Sequence, residues 1–193
     1  MALPAEKARY TFADCLAWEK NERNEIVNGE SFMMAPPTVE HQRISGEIFR
    51  QLANYLEGKT CEVFAGPFGV RLFEQTGDAP EDVDTMVEPD ISVVCDSSKL
   101  DKYGCKGAPD LIVEILSSST RRYDRLVKLG LYQRAGVREY WIVYPEDRTV
   151  QVMLQDGAGS LRLYEDYGRE DMAKVNILED CLIDLSKVFP KPE

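Results

Sequence analysis

The pattern of apolar and polar positions divides the chain into short strand-like and helix-like stretches. Thr11 opens a first short helix, with Asp14 three positions on as in a capping box, and Phe12, Ala13 and Leu16 supply its buried face. In NEIVNGESFMM, Asn28-Gly29 stands between two mixed apolar runs and predicts a hairpin. Pro36-Pro37 ends that unit. Thr38 then caps a longer helix, in which Ile44, Ile48, Leu52, Tyr55 and Leu56 recur at helical spacing and Gly58 is the stop. CEVFAGPFGVRLF predicts two short strands, or one bent at Gly66-Pro67. The acidic segment Glu74–Met86 reads as a loop.

Three apolar runs rich in β-branched and aromatic residues follow: Ile91–Cys95, Leu111–Leu116 and Glu139–Pro145. Each predicts a buried strand. A polar, glycine-containing loop joins the first two. Ser117-Ser118-Ser119-Thr120 is rich in N-cap residues and opens a helix to about Ala135, stopped by Gly136. TVQVMLQ and SLRLYE form a late hairpin joined at Asp156-Gly157, and residues 175–188 add a short strand and a turn. Strands with helices between them predict an α/β domain built on a mixed sheet. The 193 residues fit one domain, with its core over about 24–146 and the late hairpin region over 147–193.

Two carboxylates fall inside these apolar runs. Asp90 opens one and Glu114 interrupts another. Burying an ionised carboxylate is costly unless a cation or hydrogen bonds compensate it. Two such groups on adjacent strands suit a shared hard cation, Mg²⁺ or Mn²⁺, whose bound water is a ready nucleophile. The competing readings are a turn cap after Pro89 for Asp90 and a buried arginine partner for Glu114. On the following helix Asp124, Lys128 and Tyr132 are spaced four apart and line one face. An ordinary surface ion pair is the competing reading for Asp124 and Lys128. The functional reading sets an ammonium beside the metal, where it orients water and stabilises charge on phosphorus. Leu116, two positions after Glu114, cannot do that. His41, the single histidine, sits near a helix start, and Glu30 follows the Asn28-Gly29 turn. A histidine near a helix start is more often a cap or structural residue than a ligand, and a glutamate after such a turn is usually a solvated hairpin residue and sometimes a further metal ligand.

Charge changes the picture. The net charge is −11, awkward for a chain that binds phosphates, since such binding rests on lysine and arginine. An acidic loop over Glu74–Glu88 lying away from the substrate would ease the conflict. Five cysteines without a CxxC spacing argue against a zinc site or a disulfide framework. They read as reduced thiols of a cytoplasmic protein, with a Cys95–Cys105 pair unsupported. No apolar run of about 18 residues predicts a membrane helix, and the N-terminal stretch does not read as a secretory signal.

The stretches IVNGESFMMAPPTVEHQRISGEIFRQLANYL, VFAGPFGVRL, VEPDISVVCD and GAPDLIVEILSSSTRRYDRLVKLGLYQRAGVREYWIVYPE resemble a bacterial family catalogued as restriction endonucleases of unassigned function. It belongs to the PD-(D/E)XK nuclease superfamily. Together these stretches span most of residues 26–146. The resemblance implies a restriction-endonuclease-like core and a metal-dependent endonuclease acting on DNA. It implies that Asp90 and Glu114 are the acidic residues of the two motif elements and that the backbone carbonyl of Ile115 is a third metal contact. Leu116 stands at the superfamily's usual lysine, and Lys128 matches the lysine that replaces it on the next helix. Glu30 and His41 match recurrent family positions. A homodimer would serve the two strands of a duplex. A catalytically silent nucleic-acid-binding or assembly module on the same fold is the alternative.

Overall fold

The computed structural model describes residues 9–18, 23–117 and 127–189. Helix α1 (Phe12–Ala17) starts where expected: Asp14 Oδ2 accepts the Thr11 backbone N–H at 2.8 Å. Its buried face is narrower than the sequence suggests. Phe12 is buried, whereas Leu16 is exposed. Strands β1 (Asn24–Val27) and β2 (Glu30–Met33) pair antiparallel around Asn28-Gly29, both with positive φ. Helix α2 (Val39–Leu56) is capped by the Thr38 hydroxyl, which accepts the His41 backbone N–H. Its buried residues Ile44, Ile48, Leu52 and Leu56 form one stripe against the main sheet.

CEVFAGPFGVRLF yields two strands, β3 (Glu62–Ala65) and β4 (Val70–Arg71), with a cis Gly66-Pro67 bond between them. The three apolar runs become β5 (Ile91–Val94), β8 (Leu111–Ile115) and β9 (Glu139–Tyr144), buried throughout. Between β5 and β8 lie two short strands, β6 (Leu100–Asp101) and β7 (Gly104–Lys106), which join β4 in a small sheet of order β4-β7-β6. Gly104 permits the close approach there. Its φ is +126°, and a Cβ would stand 2.1 Å from the Gly69 carbonyl oxygen. The late hairpin is β10 (Thr149–Gln155) with β11 (Leu161–Gly168). After it come the pair β12 (Met172–Lys174) and β13 (Leu182–Asp184) and a last turn of helix, α4 (Leu185–Val188). Of the helix expected from Ser117 to Ala135, the described part is a π-helical turn at residues 127–128 and α3 (Leu129–Ala135), closed by Gly136 at φ +87°.

The main sheet runs β11-β10-β9-β8-β5-β3, with β8–β9 parallel and the other neighbours antiparallel. A mixed sheet flanked by helices is the α/β class expected. Alternation splits each strand between two cores. Leu111, Val113 and Ile115 face α2, whereas Ile112 and Leu116 face Leu131 and Tyr132 of α3. Trp141 lies in the first core and donates its indole N–H to the buried Glu139 at 2.7 Å.

The acidic segment Glu74–Met86 is a loop of turns and an isolated bridge, as expected, but it does not hang loose. Val83 packs on Phe12, the Phe12 N–H meets the Val83 carbonyl, Met86 bridges Ile26, and Glu74 pairs with the buried Arg71. One expectation is corrected. The thiols are not all reduced: Cys61 and Cys95 form a disulfide. The β3–β5 register, continued by one position, sets those two residues opposite each other, which no spacing in the sequence reveals. Cys105, the other partner considered for Cys95, is free and buried.

Candidate active site

The β5–β8 register pairs Ile91 with Val113, and one further step sets Asp90 opposite Glu114. The two carboxylates therefore share one end of the strand pair. Asp90 Oδ2 accepts the Ile115 backbone N–H at 2.8 Å and lies 3.1 Å from His41 Nε2. Its own backbone carbonyl accepts the Gly66 N–H at 2.9 Å, so the Gly66-Pro67 turn packs onto the Pro89-Asp90 turn. A Cβ at position 66 would stand 3.1 Å from the Pro89 carbonyl oxygen, so a side chain there would push the Pro89 turn back by a few tenths of an ångström. The inner ring nitrogen of His41, Nδ1, is buried and has no partner among the described residues.

Glu114 is buried and points to the α3 side. Its Oε1 accepts from Lys128 Nζ at 2.9 Å and from the Tyr132 hydroxyl at 2.5 Å. Residues 128 and 132 are one helical turn apart, so one face delivers both donors. Lys128 is 3% exposed, which removes the surface ion pair as its explanation. Burial, and then the charge of Glu114, push the Tyr132 hydroxyl well above its usual range, so it stays a donor at neutral pH. Lys128 Nζ also lies 3.0 Å from Glu25 Oε1.

The places of the other candidates differ. Asp124 lies outside the described residues. Glu30 lies exposed at the first position of β2. Ile115 meets Asp90 through its N–H. Glu25, buried on β1, was not singled out in the sequence. Strand alternation does not single it out, because Ile26 and Val27, on the two faces of β1, are both buried.

Asp90 and Glu114 offer only oxygen donors, the chemistry that suits a hard divalent cation. Among the described residues no group of three or more His, Cys, Asp or Glu is placed to hold a metal.

The six-stranded mixed sheet flanked by helices is an arrangement found in another protein. A solved structure described as "a putative nuclease belonging to DUF820" from Anabaena variabilis shares it: TM-score 0.71, 17% identity, 93% of this chain and 97% of that one. The family model Uma2, described as "Putative restriction endonuclease", matches residues 12–186, and the chain belongs to that family. Its class is thereby nuclease-like. Two relatives from Synechocystis sp. carry no assigned activity. The uncharacterized protein slr1290 is 29% identical over 61% of this chain and 58% of its own length. The uncharacterized protein sll1609 is 23% identical over 65% of this chain and 68% of its own. The chain thus matches less than two thirds of slr1290. Among the described residues no helix is long and apolar enough to cross a membrane.

Proposed function

We propose that the protein is a metal-dependent endonuclease that hydrolyses phosphodiester bonds in DNA, with Asp90, Glu114 and Lys128 as its central residues. The observation that carries this reading is the placement of Asp90 and Glu114 one step beyond the last β5–β8 residue pair, Ile91 and Val113, with the Lys128 ammonium 2.9 Å from Glu114. Asp90 and Glu114 would hold Mg²⁺ or Mn²⁺, with the Ile115 carbonyl as a further contact. Such an ion, when bound, acidifies a water and neutralises charge on the phosphate. Lys128 keeps positive charge beside Glu114, where an attacking water is oriented and charge builds on the phosphorane oxygens. Tyr132 fixes the Glu114 carboxylate, and His41 meets Asp90. Hydrolysis leaves a 5′-phosphate and a 3′-hydroxyl. The reading takes the chain as one nuclease domain working in the cytoplasm, and a homodimer would present two sites to a duplex.

The test is incubation with plasmid, single-stranded DNA and RNA, with Mg²⁺, Mn²⁺ or chelator, beside Asp90→Ala and Glu114→Ala. Metal-dependent cutting of DNA that both variants lose is the expected result. Cutting at wild-type rate in both variants overturns the assignment. The net charge of −11 favours a second reading, a silent nucleic-acid-binding or assembly module. Calorimetric titration separates the two, since a silent module need bind no Mg²⁺ at Asp90 and Glu114.

A further inference from the structure

Glu25 is a third carboxylate in a buried cluster that already holds Glu114. Burying another anion is unfavourable unless its hydrogen bonds compensate it. Its Oε1 makes two of them, accepting from Lys128 Nζ and from the Glu88 backbone N–H, each at 3.0 Å. Glu88 is itself fixed, because its Oε2 accepts from Arg23 at 2.8 Å and 3.1 Å. The chain passes from Glu88 through Pro89 directly to Asp90. One oxygen atom thus touches both the lysine and the turn that carries Asp90.

We propose that Glu25 is a positioning residue, which fixes the Lys128 ammonium relative to Asp90 by holding the lysine and the Glu88 backbone on a single oxygen. The proposal rests on the nuclease reading for its consequence, though not for its geometry. A lysine ammonium is a compact charge on a four-carbon stem that rotates freely. Glu114 on β8, itself held by the Tyr132 hydroxyl, accepts from it on one side, and Glu25 on β1 accepts from it as well. The second anchor refers the ammonium to the Asp90 turn, 38 positions earlier in the chain than the lysine itself.

Position and charge are separable at Glu25. Glu25→Gln keeps a carbonyl oxygen at the same reach and loses the charge. Glu25→Asp keeps the charge and falls one methylene short, and Glu25→Ala removes both. Two readouts on folded protein are used. The first is amine labelling of Lys128, located by mass spectrometry. The second is kcat and KM on DNA with Mg²⁺.

Expected are a protected Lys128 and activity within a few-fold of wild type for Glu25→Gln. Glu25→Asp and Glu25→Ala expose Lys128 to label and lose on the order of a hundredfold in kcat, the cost of a small misplacement, with KM nearly unchanged. Protection and activity kept by Glu25→Asp and lost by Glu25→Gln overturn the proposal in favour of a charge effect. Wild-type behaviour in all three variants overturns it outright, as does an unfolded or labelled Glu25→Gln protein. Should the Asp and Ala variants fail to fold, Glu25→Gln alone decides. A wild-type protein that cuts no nucleic acid sinks the nuclease reading, while the labelling pattern still decides the role of Glu25.

Discussion

The carboxylate of Asp90 holds the backbone N–H of Ile115 at 2.8 Å, just beyond the last residue pair of the β5–β8 ladder. Asp90 thus closes the strand end as well as lining the site. Asp90→Ala leaves that N–H without its acceptor, at a cost of about 1–3 kcal/mol. Asp90→Asn keeps an acceptor oxygen and loses far less. Urea unfolding midpoints at unchanged m-value measure both. Equal losses would show that the bond contributes nothing to stability.

Lys128 stands within 3.0 Å of two buried carboxylates. Lys128→Met removes the cation and leaves them facing each other, which costs about 3–5 kcal/mol. Adding Glu25→Gln to that variant removes one of the two charges. The double variant is therefore more stable than Lys128→Met alone, and the non-additivity of the cycle measures the coupling.

The Tyr132 hydroxyl is held well above its usual pKa by burial and by Glu114. A folded-state value above the unfolded one gives a stability contribution that is complete below about pH 10 and lost as pH rises towards the folded value. Tyr132→Phe should therefore destabilise the protein at pH 8. The difference from wild type should shrink above pH 10 in denaturant titrations at the two pH values. A constant difference would mean that Tyr132 does not titrate on unfolding.

Burial pushes the thiols of Cys105 and Cys181 up to about 11, and burial with the neighbouring Asp14 pushes Cys15 up to about 12. A thiol reagent at pH 8 should find little to react with in the folded protein. Unfolding without reductant should release three thiols, and reduction should raise the count to five. Five thiols without reductant would remove the Cys61–Cys95 bond.

Long, strongly periodic stretches were legible in the sequence. The α2 stripe, the three buried strands and the Asn28-Gly29 hairpin each carry their own period or turn chemistry, independent of the rest of the chain. The four-residue spacing of Lys128 and Tyr132 likewise anticipated that they share a face. Glu25 was not legible in the same way. In a four-residue strand beside a turn, one inward carboxylate looks like a solvated hairpin residue, just as Glu30 does across the turn. Only the closed fold distinguishes them, burying the first and exposing the second. The small β4-β7-β6 sheet escaped because strands of two or three residues have no measurable period. The Cys61–Cys95 pair escaped because register is a property of two strands together.

Glu25 and Lys128 are separated by 103 positions. Contacts of that separation form late, after the intervening loops have closed. No short fragment of the chain contains both, and the parallel β8–β9 pairing beneath them needs residues beyond 138. During synthesis the ammonium and its carboxylates therefore cannot assemble until most of the sheet has emerged. A nascent or truncated chain carries the separate residues without the arrangement, so whatever chemistry the cluster performs is withheld until folding is nearly complete.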